Sequence, residues 1–221
     1  KTGVNLPAER AGVIPTRAWK KALIGTPWQR GETLISGIGQ GFILTTPLQL
    51  AVMTARLANG VYSVTPRIVR PNKEDKKEHA PQFESLGISR RSLNIVREGM
   101  HRVANEPGGT AYRARIVDQG MEMAGKTGTV QVRRISKAER ETGVLKNHER
   151  PWRDRDHALF VGYAPSANPR YAVSVVVEHG GDASKVAAPI AKHLLLATQK
   201  YGRHNRKSAT LIPPKAKSEE I

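Results

Sequence analysis

The sequence of 221 residues contains no cysteine, which excludes disulfide bridges and thiolate metal sites. No apolar run approaches the roughly 18 residues that a membrane-spanning helix needs, and no basic-then-apolar signal segment follows Lys1. Apolar residues make up only 38% of the chain, yet this length and composition still favour one sizeable folded domain over disorder. We therefore expect a segment of a longer protein, with any anchor or targeting signal outside it.

The formal net charge is +17, and a positive field of this size attracts nucleic acid, anionic lipid or acidic polymers. The basic residues, however, are scattered or concentrated in predicted loops and in the tail, at 73–77, 150–155 and 200–207. Charge runs of this kind are usually solvated surface. The sequence thus predicts no nucleic-acid partner, although a basic, non-catalytic nucleic-acid-binding module stays as one alternative.

Capping signals predict three helices. Thr46 is a suitable N-cap, Pro47 fits the first helical position and Gly60 fits the position after the helix end. A second helix is predicted from 90 to about 105, with apolar residues three and four apart on one face. The third is predicted over about 187–201.

Three strands are predicted in the second half of the chain. They are Thr127–Val132, which is rich in β-branched residues, then His157–Ala164 and Tyr171–Glu178. Asn168-Pro169 indicates a hairpin turn between the last two, and 133–156 is predicted to be a long exposed connection. Strands joined by hairpins pair antiparallel, so the fold class is α+β with helices packed on an antiparallel sheet.

Gly125-Lys126-Thr127-Gly128-Thr129 opens the first predicted strand. Lys126 offers a compact positive charge to a substrate carboxylate, and the hydroxyls of Thr127 and Thr129 face one side of the strand. Gly128 keeps the strand thin, so that a peptide can approach its backbone and add as another strand. A backbone N–H here can also point at a developing oxyanion. This segment therefore predicts an active-site edge.

The same residues permit a second interpretation. The segment Gly120–Thr127 formally satisfies the phosphate-loop pattern of nucleotide hydrolases, a glycine, four residues and then Gly-Lys-Thr. A phosphate loop leads into a helix, whereas Thr129 to Val132 alternates as a strand does. The loop would also carry Glu122, whose charge repels phosphate. A nucleotide hydrolase nevertheless stays as the other alternative.

Gly37–Gly41 lacks the spacing and the context of a dinucleotide-binding turn.

An ordered series of segments resembles the class B penicillin-binding protein transpeptidases, most closely the penicillin-binding protein 2 group of the rod-shape (elongation) machinery. The likeness covers roughly residues 1–200. The matching segments are 6–10, 37–41, 46–51, 96–100, 109–111, 124–129, 157–165, 172–181 and 187–191.

Three motifs form the active site of that family: Ser-x-x-Lys with the nucleophile, Ser-x-Asn, and Lys-Thr-Gly. No serine here precedes a lysine by three residues, and Ser92-Leu93-Asn94 lies at the wrong place in the family order. The resemblance implies that Lys126 binds and orients a terminal carboxylate, that Thr127 and Thr129 hydrogen-bond to it beside Gly128, and that the Thr129 N–H forms half of the oxyanion hole. This chain alone is expected to be inactive.

The resemblance also implies the domain boundaries, the ligands, the partners and the location of the protein. Residues 1–202 would be the C-terminal portion of a serine-type D,D-transpeptidase domain with the last three strands of a five-stranded antiparallel sheet, and 203–221 a disordered tail. The ligands would be the peptidoglycan stem peptide and β-lactams, with no cofactor or metal. The parent would work with membrane proteins of the elongation machinery at the periplasmic face of the bacterial inner membrane. The strand at 171–178 would lack a neighbour, which predicts oligomerisation, strand exchange or local disorder.

Overall fold

The computed structural model describes residues 1–69, 83–133 and 135–202. The predicted tail at 203–221, the basic run at 73–77 and residues 203–207 of the basic run at 200–207 lie outside these ranges. The helices are α1 (Arg17–Ile24), α2 (Arg30–Gly37), α3 (Pro47–Asn59), α4 (Arg90–Asn105), α5 (Lys137–Thr142) and α6 (Ala187–Tyr201). The strands are β1 (Ala124–Val130), β2 (His157–Ala164) and β3 (Tyr171–Val177). None of the helices in the described ranges is long and apolar enough to cross a membrane.

The three strands form one antiparallel sheet in the order β1-β2-β3, which confirms the predicted α+β class. The registers pair Ala124 with Tyr163 and Thr127 with Phe160. β1 begins three residues before the prediction and ends at Val130 instead of Val132. Its start was missed because Ala124 and Gly125 carry no β-branched signal, and pairing with β2 decides their conformation.

Helices cover both faces of the sheet. On one face Ala158, Phe160 and Ala164 of β2 are fully buried in the main core, together with Ala191 and Leu195 of α6. Alternation along β2 places Tyr163 on the other face. There Tyr163 is buried with Ala124 and with residues of α3 and α4, in a smaller cluster completed by Ala58 and Met100. The sheet is therefore fixed from both sides, and its strand β1 is held in place.

The predicted capping chemistry is observed at α3 and α4. The Thr46 hydroxyl accepts from the Gln49 N–H, and Gly60 ends α3 in a left-handed conformation with φ 72°. The Ser89 hydroxyl accepts from the N–H of Ser92 at the start of α4. Because these hydrogen bonds use only neighbouring residues, they are readable from sequence.

The N-terminal segment contains two helices in addition to the three that were predicted. α1 and α2 each run for eight residues. The Lys20 side chain is almost fully buried, forms a salt bridge with Glu32 of α2 and donates to the Pro27 carbonyl at 2.8 Å. The pKa of Glu32 is lowered, first by the Gln29 backbone N–H and then by Lys20. This pair ties the two helices together.

The connection between β1 and β2 is largely exposed, as predicted, but it also contains ordered charge pairs. The Arg133 guanidinium donates to both carboxylate oxygens of Glu139, at 2.9 and 2.6 Å, and Ser136 caps α5. Arg133 is the main cause that lowers the pKa of Glu139 to about 2, followed by Ser136. Farther along, Arg150 and the nearly buried Asp156 face each other at 3.5 Å. Charge pairs contribute to the order of this segment, and they leave no apolar pattern in the sequence.

Candidate active site

The edge of β1 that faces away from β2 pairs with no further strand of the described residues. Lys126 and Thr129 are exposed on this strand, and Thr127 and Gly128 are partly buried. All four predicted site residues therefore lie together on one accessible strand. The observed strand excludes the phosphate-loop interpretation of Gly120–Thr127, because that loop requires a helix from its Gly-Lys-Thr onward.

The Lys126 ammonium is the first of three side-chain polar groups that are connected by hydrogen bonds, followed by the hydroxyls of Thr127 and Thr110. Its Nζ donates to the Thr127 carbonyl at 2.9 Å and lies 3.3 Å from the Thr127 hydroxyl. The Thr127 hydroxyl in turn shares a hydrogen bond of 3.0 Å with the hydroxyl of Thr110. Within the described ranges Lys126 forms no salt bridge. One cation and two alcohols without a neutralising carboxylate form a receptor suited to a carboxylate.

Thr110 reaches this position through a tight turn after α4. The Ala111 N–H donates to the Val103 carbonyl at 3.0 Å, which folds the turn back onto the last turn of the helix. A Cβ at Gly109 would lie 2.4 Å from the same carbonyl oxygen, so only glycine fits this approach. Asn105 joins the helix to the strand, since its side-chain amide donates to the Met123 carbonyl at 2.8 Å. Helix α4 thus places Thr110 beside Thr127.

A second long-range contact reaches β1 from the opposite half of the chain. The Gln40 Nε2 donates to the Thr129 carbonyl at 3.0 Å. Gln40 lies in the turn that follows α2, between two glycines with φ of 75° and 80°. The sequence analysis did not predict this contact, because the two residues are 89 positions apart in the chain.

The glycines of β1 have different surroundings. A Cβ at Gly125 would lie 2.3 Å from the Phe160 ring and 2.5 Å from the Val161 carbonyl oxygen. A Cβ at Gly128 would meet only the Leu159 Cβ, at 3.4 Å. Gly125 is therefore required by packing, whereas the surroundings of Gly128 leave room for a side chain.

Ser92-Leu93-Asn94 lies in the first two turns of α4. The Ser92 hydroxyl bonds to the Ser89 hydroxyl at 2.9 Å, and Leu93 is buried in the structure. No hydrogen bond between the described residues joins these side chains to Lys126–Thr129. The segment serves the start of a helix, which supports its interpretation as a chance match to the second family motif.

The sequence profile of the penicillin binding protein transpeptidase domain matches residues 1–196. The chain belongs to the penicillin-binding protein transpeptidase family. It is 35% identical over 207 residues to the peptidoglycan D,D-transpeptidase MrdA of Acinetobacter baumannii, covering 90% of this chain and 30% of that protein. It is 33% identical over 204 residues to MrdA of Escherichia coli, covering 88% of this chain and 31% of that protein.

Solved structures of penicillin-binding protein 2 (PBP2) share the fold of this family member. The Helicobacter pylori PBP2 in complex with MreC is matched with a TM-score of 0.75 at 31% identity, over 91% of this chain and 34% of that one. Pseudomonas aeruginosa PBP2 in complex with WCK 5153 is matched with a TM-score of 0.69 at 34% identity, over 92% and 40%. These likenesses confirm the predicted PBP2-like class B resemblance. The chain spans about a third of the length of the relatives it matches.

Two residues at the site were missed from the sequence. Thr110 and Gln40 both lie in segments that carry the family resemblance, yet neither was given a role. The available signal was local: Thr110 follows two glycines and Gln40 stands between two others. Glycines are common where a chain turns tightly or where its backbone approaches another group closely, but only the folded chain identifies the partners of Thr110 and Gln40.

Proposed function

We propose that residues 1–202 are the C-terminal portion of a serine-type peptidoglycan D,D-transpeptidase, and that they supply its substrate-anchoring edge. The chain of polar groups from Lys126 through Thr127 to Thr110 on an open strand edge carries this proposal. Such a receptor suits the terminal carboxylate of a stem peptide or of a β-lactam. The names of the MrdA relatives support the reaction class.

Each predicted residue then has a role. Lys126 attracts and orients the substrate carboxylate, and the Thr127 hydroxyl hydrogen-bonds to it. Gly128 lets the substrate backbone approach. The Thr129 hydroxyl faces the same side of the strand as that of Thr127, and its N–H stabilises the oxyanion that forms when the missing serine attacks. The serine's own N–H would complete the oxyanion hole.

Fluorescent penicillin tests this proposal. A longer form of the protein that includes a Ser-x-x-Lys motif should become covalently labelled, because that serine forms the acyl-enzyme. The chain of residues 1–221 alone should remain unlabelled under the same conditions. Labelling of the isolated chain would show that it carries a nucleophile of its own. Failure of the longer form to label would contradict the proposed reaction.

The same proposal extends to partners and location. The ligands are the stem peptide and β-lactams, and the parent acts with membrane proteins of the elongation machinery. The complex of the Helicobacter pylori PBP2 with MreC supports such a partner. The place of action is the periplasmic face of the bacterial inner membrane. The substrate of a D,D-transpeptidase, the cell-wall polymer, lies on that side.

The outer edge of β3 supports the predicted self-association. β3 pairs with β2 alone among the described residues, and Val176 on it is exposed by 37%. We expect the isolated chain to form dimers or larger species through this edge. Val176→Lys should shift it toward monomer in light scattering, whereas Val117→Lys, at a site 71% exposed outside the strands, should not. A monomeric unsubstituted chain with an intact β3 would refute the expectation.

A further inference from the structure

The backbone of β1 has a definite orientation at its open edge. In an antiparallel strand the N–H and C=O of one residue point to the same side, and those of the next residue point to the other. The Thr127 carbonyl accepts from Lys126 Nζ and the Thr129 carbonyl from Gln40, and neither donor belongs to β2. Thr127 and Thr129 therefore direct their backbone groups away from β2, toward the open edge.

Hydrogen bonds on the far side of β2 agree with this orientation. The Ala164 carbonyl accepts from Arg170 and the Asp156 carbonyl from Gly181, both on the β3 side. Alternate residues of β2 therefore face β1, among them Leu159 and Val161. These are the register partners of Gly128 and Lys126. Thr129 thus directs both its N–H and its C=O toward the place where an added strand would lie.

The turn that carries Gln40 is firmly held. The Gln40 N–H donates to the Ile35 carbonyl and the Gly39 N–H to the Ser36 carbonyl, both at 3.0 Å. A Cβ at Gly41 would lie 3.0 Å from the Ile35 side chain, so the turn packs closely on the end of α2. The buried Lys20 anchors α2 through its salt bridge with Glu32. Because the turn packs on this anchored helix, the position of the Gln40 amide beside β1 is well defined.

We propose that Gln40 is a positioning residue for the acyl-transfer step, and this inference rests on the proposed function. By holding the Thr129 carbonyl, it fixes the peptide plane that follows Thr129 at the open edge. The Thr129 N–H belongs to the preceding peptide plane, which this hydrogen bond restrains only through the Thr129 Cα. With both planes held, Thr129 presents its N–H to the oxyanion and its C=O to a substrate N–H. A carbonyl oxygen has two lone pairs, so Gln40 leaves one for the substrate. The role differs from that of Lys126 because Gln40 acts through Thr129 rather than on the substrate.

The test uses the longer, serine-bearing protein and the kinetics of acylation by fluorescent penicillin. Gln40→Leu keeps the size of the side chain but removes the donor, and Gln40→Glu keeps its shape while the ionised carboxylate cannot donate. Both should lower the acylation rate constant about tenfold, a fraction of the loss typical for a missing oxyanion donor. The apparent affinity of the initial complex and the unfolding temperature should change little. Gln131→Leu, the same change at an exposed glutamine beyond β1, is the matched control.

The possible outcomes separate failure of this inference from failure of the proposed function. Unchanged acylation in both Gln40 variants would overturn the inference while leaving the proposed function intact. Faster acylation would overturn it too, because Gln40 would then obstruct the edge. Slower acylation accompanied by an equal loss of initial affinity or by a lower unfolding temperature would indicate a merely structural role and would also overturn it. If the unsubstituted protein is not acylated, the proposed function fails, and this inference fails with it.

Discussion

Lys126→Met is expected to lower the rate of acylation by fluorescent penicillin about a hundredfold in the serine-bearing protein. Methionine keeps an unbranched stem of similar length but removes the charge. The loss should be large because Lys126 is the only cation that the structure shows bonded to the Thr127 hydroxyl. With it gone, the two alcohols of Thr127 and Thr110 would face the substrate carboxylate without a counter-charge.

Two further variants make this prediction specific. Lys137→Met removes a charge from an exposed position on α5 and should leave acylation within about twofold of the unsubstituted protein. Lys126→Arg keeps the positive charge but should restore the acylation rate only in part, because the planar guanidinium does not occupy the place of a compact ammonium. Acylation that survives in Lys126→Met at the level of Lys137→Met would show that the carboxylate is bound elsewhere. The unfolding temperature should be the same in all three variants, since Lys126 lies exposed.

Local chemistry explains how much of this fold was predictable. The caps of α3 and α4 were foreseen because a hydroxyl N-cap or a glycine at a helix end acts on its own neighbours in sequence. β2 was placed at its observed bounds because its apolar run is short and continuous. By contrast, α5 was missed although Ser136 and Glu139 form a capping box, a signal that the polar composition of the connection concealed.

The residues of the site also differ in how far they could be predicted from the sequence. Lys126, Thr127, Gly128 and Thr129 are consecutive, so one strand brings them together and the sequence identifies them as a group. Thr110 and Gln40 enter from separate elements, at distances of 17 and 89 positions along the chain. Their contacts depend on how α2 and α4 pack around β1. The periodicity of a single segment does not encode how separate elements pack. The family resemblance therefore identified the segments that contain Thr110 and Gln40, but not the residues of β1 that they contact.

Gly125→Ala is expected to destabilise the chain by about 3 kcal/mol or more, the upper range for overpacking a core. The added methyl would lie 2.3 Å from the Phe160 ring and 2.5 Å from the Val161 carbonyl oxygen, and the carbonyl belongs to the β1–β2 pairing itself. The fully buried Phe160 has little room to move. Thermal unfolding followed by circular dichroism should show the loss directly.

Gly128→Ala, three residues along the same strand, is the matched variant. Its methyl would meet only the Leu159 Cβ at an ordinary 3.4 Å, so stability should change by less than about 1 kcal/mol. The methyl would, however, stand on the Lys126 side of the strand, where the substrate backbone is proposed to approach, and acylation should fall about tenfold. A stable Gly125→Ala would contradict the described packing of Phe160. A fully active Gly128→Ala would show that the substrate does not approach this face. The two variants therefore distinguish the packing that stabilises β1 from the access of substrate to β1.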